Sequence, residues 1–277
     1  MKKSKILQTE ARDFHLRHTL ECGQFFRLRL IDGWYYINSR NKFFKVRQRD
    51  DVIEFQGVNP EYIRHFFSLD EPLDKILCSI SGEKHIENAV KKYYGLRIIR
   101  QDPWECLISY ICSSASNIPR IRLCVERIAE KYGEETSLDG IEGNTFPGPD
   151  TGFDRKGLEK VRLGFRLRYV LEAGKRVDDP YLNSLRDLPY ADAKKMLLQI
   201  DGVGDKVADC VLLFSLGFSE AFPVDRWIKR VMQDMYFKGR PTPNKAIHAF
   251  AREHFGPHAG YAQEYLYLYS RHGKGID

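Results

Sequence analysis

Asp201-Gly202-Val203-Gly204-Asp205-Lys206-Val207-Ala208-Asp209-Cys210, continued by an apolar run to Gly217 and then by Pro223-Val224-Asp225, is the stretch whose reading decides the fold. Two glycines one residue apart permit backbone conformations that a Cβ would block, so the chain can turn tightly between two helices. The incoming segment carries Ala193, Leu197 and Ile200 at helical spacing, and the outgoing one Val207, Val211 and Phe214. A glycine-rich turn that opens a helix points unpaired backbone N–H groups at anything anionic, and a DNA phosphate is a natural ligand. The stretch is predicted to be a helix–hairpin–helix, with Gly202, Val203 and Gly204 facing phosphate.

Lys206 falls in the first turn of the outgoing helix, where the macrodipole disfavours a cation by some tenths of a kcal/mol to about 1 kcal/mol. In an apolar site, desolvation pushes the same way and frees the amine as a nucleophile. The plainer alternative is an exposed lysine paired with Asp209 at i+3. Asp225 precedes Arg226-Trp227-Ile228-Lys229-Arg230-Val231-Met232, which reads as a helix start, so its plainer role is an N-cap. A carboxylate held there can also stabilise a sugar cation or move protons for the lysine.

Gly-Val-Gly-x-Lys-Val-Ala-Asp-Cys followed by Pro-Val-Asp resembles the helix–hairpin–helix DNA glycosylase superfamily, and within it the 8-oxoguanine DNA glycosylase/lyase family. The hairpin alone is common among DNA-binding proteins. Hairpin, lysine and Pro-Val-Asp in this order are specific.

The 277 residues suffice for a large core and two or three subdomains. A hydrophobic content of 43% with 30% charged residues is that of an ordinary globular protein. A net charge of +6 favours a polyanionic partner. The N-terminal Met1-Lys2-Lys3-Ser4-Lys5-Ile6-Leu7 has no apolar signal region, and no long apolar run follows. The expectation is therefore no membrane partner and a cytoplasmic location, associated with the nucleoid in a prokaryote. Six cysteines, at 22, 78, 106, 112, 124 and 210, form no Cys-x-x-Cys. That argues against a zinc site, a disulfide framework and a C-terminal iron–sulfur cluster, and predicts reduced, mostly buried thiols.

From Phe14 to Phe55 the pattern is strand-like. Phe25–Leu30, Trp34–Ile37 and Phe43–Val46 are short aromatic and β-branched runs, parted by Asp32-Gly33 and Asn41-Lys42. Residues 60–67 and 83–94 read as helices packed on a face of that sheet. The fold class is α+β: an N-terminal antiparallel β-sheet domain over 1–100, then a mostly α-helical region over 101–277 carrying the helix–hairpin–helix. Within the first part, Cys22-Gly23-Gln24-Phe25-Phe26-Arg27 resembles the family segment whose glycine carbonyl accepts the N7–H that distinguishes 8-oxoguanine from guanine. Gly23 is otherwise a plain turn residue.

The run Arg100–Ser114 matches the family, with Asp102-Pro103 as a helix start. The family continues with three asparagines, where this chain reads Ala115-Ser116-Asn117, so the first amide contact to the orphaned base is missing. Asn117 and Arg120 still match, and Pro119 stiffens the loop or begins a new helix. Residues 140–157, rich in Gly, Pro and Asp, read as a loop. In Leu163-Gly164-Phe165-Arg166, the resemblance makes Phe165 the wedge that fills the gap in the duplex and Arg166 a reader of the orphaned cytosine. Without it, Phe165 is a core aromatic and Arg166 a solvated surface charge. Trp227 stands where eukaryotic relatives have a phosphate-binding histidine, which shifts anchoring to the hairpin amides and to Arg226, Lys229 or Arg230. Gln263 and Tyr267 are i and i+4 on one helix face. The resemblance has Gln263 read the flipped base while Tyr267 and Cys210 stack on its two faces. By themselves Tyr267 is a core aromatic and Cys210 a packing thiol.

Together these residues imply a bifunctional DNA glycosylase/β-lyase that excises 8-oxoguanine from double-stranded DNA, acts as a monomer and needs no metal or organic cofactor. A monovalent cation on the carbonyls of Ile200 and Val203 is left open by the motif. Two other readings stand beside it: a glycosylase for other damaged purines, and a non-catalytic helix–hairpin–helix DNA-binding protein, in which Lys206 would be redundant.

Overall fold

The structure is a computed structural model and describes residues 5–273. Strand β1 (Leu7–Glu10) and helix α1 (Leu16–Glu21) lead into a meander of β2 (Leu28–Ile31), β3 (Trp34–Ser39), β4 (Lys42–Arg49) and β5 (Val52–Gln56). The antiparallel sheet runs β1-β5-β4-β3-β2, with β1 returning to close the edge beside β5. Asp32 and Gly33 both have positive φ (48° and 77°), as a tight two-residue hairpin requires. The next turn falls on Arg40-Asn41, one residue earlier than the sequence suggested, with Arg40 at φ 52°.

Three expectations for this region change. Residues 16–21 are helical rather than extended, because Leu16, Thr19 and Leu20 are buried at helical spacing and His15 caps the backbone N–H of His18. Phe25, Phe26 and Arg27 precede the strand instead of beginning it. Phe25 enters the sheet core and Phe26 the helical core, so neighbouring residues point into different cores. Of the helices that follow, α2 (Pro60–Phe66) does cover the sheet, through Ile63 and Phe66. Helices α3 (Leu73–Ile80) and α4 (Lys84–Tyr93) do not. Their apolar faces, Ile76 and Leu77 on one and Ile86 and Ala89 on the other, belong to the helical core. The segment 1–100 thus contributes to both cores.

The second core surrounds α5 (Pro103–Cys112), which is buried from Trp104 to Cys112. A helix apolar all round must be enclosed on all sides, and here its neighbours do so. Asp102 caps it and Pro103 opens it, as the sequence indicated. Helix α6 (Ile118–Tyr132) starts from an Asn117 cap with Pro119 in its first turn. The expected loop at 140–157 is only partly a loop. Strands β6 (Glu135–Leu138) and β7 (Ile141–Asn144) form a hairpin, whose Leu138 and Ile141 cover Trp34, Tyr36 and Phe43 on the far face of the main sheet. Covered on both faces, β3 is buried along its whole length. The remaining helices are α7 (Arg155–Val161), α8 (Leu167–Arg176), α9 (Asp179–Ser184), α10 (Tyr190–Leu197), α11 (Asp205–Val211), α12 (Arg226–Tyr236), α13 (Asn244–Phe255) and α14 (Ala259–Gly273). Among the described residues, no helix is long and apolar enough to cross a membrane. All six cysteines are unpaired and five are buried.

Sheet and helices are tied together by Arg27. Its guanidinium is 1% exposed, pairs with Glu105 of α5 at 3.4 Å, and also donates to the Asn144 carbonyl. Burial pushes the Glu105 carboxyl up to about 7, against the pull of Arg27. Removing Arg27 leaves the buried Glu105 carboxyl without its ion-pair partner, held by the Arg40 backbone N–H. Arg27→Ala is expected to destabilise the fold by about 3–5 kcal/mol, measured by denaturant unfolding.

Candidate active site

Helix α10 enters a turn in which Gly202 has φ +86°, and a Cβ there would fall 2.3 Å from the Tyr169 ring. Gly204 is extended (φ −98°, ψ −179°) and serves as the N-cap of α11, so only the first glycine is required by its backbone conformation. Val203 departs from expectation. Its side chain is buried and its N–H donates to the Ile200 carbonyl at 3.0 Å, so it is a strut of the turn rather than a phosphate donor. Past Val211 the helix widens into a π turn over Leu212–Leu216 and stops at Gly217, whose φ is +88°.

Asp209 and Lys206 of α11 turn to different neighbours. Asp209 is fully buried, accepting from Tyr190 Oη at 2.6 Å and Lys194 Nζ at 2.9 Å, both on α10. Burial raises its carboxyl to about 6 while Lys194 opposes that shift. Lys206 turns toward α5. Its Nζ donates to Ser113 Oγ at 2.9 Å and lies 4.6 Å from the centre of the Tyr110 ring. The i+3 pairing is thereby excluded: Asp209 is already held, and among the described residues Lys206 makes no ion pair.

A cavity of about 970 Å³ opens in front of Lys206. Asp225 lines it from the head of α12, where its Oδ1 accepts the Ile228 N–H at 2.7 Å. Cys210, one turn beyond Lys206, is buried, and burial pushes its thiol up to about 12 although Lys206 pulls it down. Across the cavity stand Gln263 and Tyr267 of α14. Gln263 is 4% exposed and its Oε1 has no hydrogen-bond partner. Gly23 also faces the cavity, at φ +106°, and a Cβ on it would approach Ile118 to 3.1 Å and the Tyr267 ring to 3.8 Å. The residue after it holds this turn: Gln24 donates to the Thr19 and Arg97 carbonyls and accepts from Ile99 N–H, while Gln101 and Tyr110 donate to its backbone carbonyl.

Other expected residues lie at the rim or outside it. Arg226 is exposed at the cavity mouth. Asn117 is exposed there too, with Oδ1 capping the Arg120 N–H, and the Arg120 side chain is exposed. Phe165 projects with 55% of its surface exposed, unlike a core aromatic. Arg166 does not project. It is 2% exposed, donating from Nε to Ser114 O at 2.8 Å and from a terminal nitrogen to Ala115 O at 3.0 Å, so it clamps the 113–116 loop instead of facing a base. Within that loop Ala115 adopts φ +47°, a conformation that Asn tolerates far better than Ala. Trp227 is likewise redirected: its indole N–H donates to Ser270 Oγ at 2.7 Å, which ties α12 to α14 and leaves it no donor for phosphate. Sequence reasoning gave no site role to Tyr110, Ser113 or Glu264, although the first two stand in the run 100–114 and the third directly follows Gln263. Nothing in spacing marks a residue that touches a site through the third dimension.

With this geometry in place, comparison with known proteins is informative. Residues 6–107 match the family model described as the N-terminal domain of 8-oxoguanine DNA glycosylase. The solved structure of MBOgg1 in complex with a low-affinity DNA ligand superposes with a TM-score of 0.93 at 33% identity, covering 99% of this chain and 98% of that one. The chain belongs to the 8-oxoguanine DNA glycosylase/lyase family. The Clostridium acetobutylicum 8-oxoguanine glycosylase/lyase, solved with double-stranded DNA bearing cytosine opposite 8-oxoguanine, gives 0.89 at 30% identity and covers 99% of each chain. Among curated relatives, the probable N-glycosylase/DNA lyase of Methanothermobacter thermautotrophicus is 29% identical over 279 residues, covering 92% of this glycosylase and 89% of the relative. The Archaeoglobus fulgidus 3-methyladenine DNA glycosylase, at 18% identity and a TM-score of 0.80, shares the helix–hairpin–helix fold.

Two substitutions check the loop readings. Gly202→Ala introduces both a left-handed alanine and an overlap with the Tyr169 ring, so a loss of about 2–3 kcal/mol is expected in thermal unfolding. Ala115→Asn is expected to raise stability by some tenths to about 1 kcal/mol by relieving the strained φ.

Proposed function

We propose that this glycosylase/lyase excises 8-oxoguanine from duplex DNA with Lys206 as nucleophile and Asp225 as counter-ion. One observation carries the assignment: the amine and the Asp225 carboxylate face a single cavity, while the two carboxylates of α11, Asp205 and Asp209, both pair with Lys194 of α10. A base in a duplex hides its glycosidic carbon, so the nucleotide is rotated into the cavity, and exposed Phe165 takes its place in the stack. Cys210 and Tyr267 then face the two sides of the base, Gln263 offers its unpartnered Oε1 to the base edge, and the Gly23 carbonyl receives the lesion's N7–H. The neutral Lys206 amine attacks C1′ and the glycosidic electron pair leaves with the base. Asp225, remaining anionic, stabilises the cationic sugar as it develops. Loss of a proton and opening of the sugar give a Schiff base, from which β-elimination expels the 3′ phosphate. Unpaired amides at Gly202 and Gly204 and the exposed Arg226 and Arg120 serve the DNA backbone.

The experiment on the nucleophile uses Lys206→Gln. Strand cleavage and borohydride trapping on an 8-oxoguanine duplex are expected to vanish while lesion binding stays within a few-fold of wild type. Undiminished trapping would move the nucleophile elsewhere. Asp225→Asn retains the cap, since Asn caps as well as Asp, and is expected to melt normally but to excise slower by orders of magnitude.

The base opposite the lesion gives a separate prediction. With Ala115 lacking an amide and Arg166 engaged with the loop, exposed Arg120 is the donor left from the family's asparagine and two arginines for an orphaned cytosine. A lost base contact removes about 1–3 kcal/mol of discrimination. Single-turnover excision is expected to favour cytosine only modestly over thymine, guanine and adenine, and Ala115→Asn to sharpen that preference.

A further inference from the structure

Glu264 is a buried carboxyl that the chemistry above does not use. It follows Gln263 on α14, is 4% exposed, and lines the same cavity, yet its Oε2 is buried without a hydrogen-bond partner. Its surroundings come from every wall. Cys22 approaches from the end of α1, Tyr110 from α5, Lys206 and Cys210 from α11 and Asp225 from the head of α12, with Tyr267 and Arg271 on its own helix. We propose that Glu264 accepts the ammonium proton of Lys206 as the amine turns to the sugar, and thereby sets the pH range of base excision.

The reaction needs two different things from negative charge near Lys206. Something must take a proton from the ammonium, and something must remain anionic beside the sugar cation. One carboxylate cannot do both at once, because accepting the proton neutralises it. Asp225 is fitted to the second role, because it lines the cavity with its Oδ1 already engaged by the Ile228 N–H at the head of α12. Glu264 is fitted to the first. Burial, then the negative charge of Asp225, push its carboxyl up to about 7, while Cys22 and Lys206 pull the other way. An ordinary carboxylate is too weak a base to take an amine's proton, and a raised one is better matched. The thiol of Cys210 and the phenol of Tyr267, each pushed up to about 12 by burial, stay neutral throughout.

The step balances simply. One N–H bond of Lys206 breaks and one O–H bond of Glu264 forms, directly or across one water in the cavity, and ammonium with carboxylate becomes amine with carboxylic acid. The net charge of the cavity is unchanged, which suits a low-dielectric site. Below the folded value of about 7 Glu264 is already protonated and cannot accept, so excision rises as pH increases through that value.

The inference rests on Lys206 being the nucleophile, and the test keeps the two apart. Borohydride trapping on an 8-oxoguanine duplex, compared between wild type and Lys206→Gln, reports on the nucleophile alone, and trapping that is absent in the wild type or undiminished in the variant would overturn both readings. Given trapping, single-turnover excision is followed from pH 5.5 to 9 for wild type and Glu264→Gln. The expected result is a wild-type limb near pH 7 that is missing in Glu264→Gln, with excision down about 100-fold on the alkaline side. Duplex binding is expected to be retained. A variant with the wild-type rate and limb would reduce Glu264 to a packing residue and leave the Lys206 reading intact. Should Glu264→Gln melt early, infrared difference spectra of the wild-type protein decide. A protonated-carboxyl band that disappears with the midpoint of the rate limb supports the proposal, and a band titrating well away from it overturns it.

Discussion

The hairpin is held in place by the contact of Asp209 with Lys194 and Tyr190. A fully buried carboxylate must be paired, and here both partners lie on the preceding helix. The pairing locks α11 against α10 across a turn in which the left-handed Gly202 packs against the Tyr169 side chain of α8. With α11 fixed, the direction of Lys206 follows: it leaves the first turn toward α5, where the Ser113 hydroxyl and the face of Tyr110 receive it. Because α5 is enclosed on every side, that receiving surface cannot drift. Lys206 is thus aimed by contacts that the protein makes within itself.

Much of this was legible in the chain. The spacing of Val207, Val211 and Phe214 gave the outgoing helix, Asp102-Pro103 and Asp225 gave two helix starts, and Asp32-Gly33 gave a hairpin, because each is a local rule with a local cause. The site residues Lys206, Asp225, Cys210, Gly23, Gln263 and Tyr267 do share one cavity. What escaped is what local rules cannot see. The assignment of Glu83–Tyr94 to the sheet failed because an amphipathic helix shows that it has a buried face and not which core receives it. Arg166 was expected to reach an orphaned base, and Trp227 stands at the family's phosphate-binding position. Both instead satisfy groups inside the protein, and side-chain donors choose partners by distance in space rather than in sequence.

The two redirected residues give the rim a different character from the cavity. Inside the cavity, acceptors such as Gln263 Oε1 and Glu264 Oε2 are left without donors. At the rim, Arg166 uses three nitrogens on backbone carbonyls of its own chain, and the loop that it clamps carries a left-handed alanine. Strain of that sort persists only where the surroundings over-determine it. The protein therefore keeps unpartnered polar atoms on the cavity wall, Ser116 Oγ of the clamped loop among them.

The Gln24 lattice has an implication for how selectivity is inherited. If the Gly23 carbonyl tells the lesion from its parent base, as proposed above, that position has no side chain that mutation could tune. The sensitivity would reside in the scaffold, where Thr19, Arg97, Ile99, Gln101 and Tyr110 all meet Gln24. Drift in this lineage would then broaden the range of excised bases through changes at positions remote from any base, and Gly23 itself would stay the same while its accuracy changed.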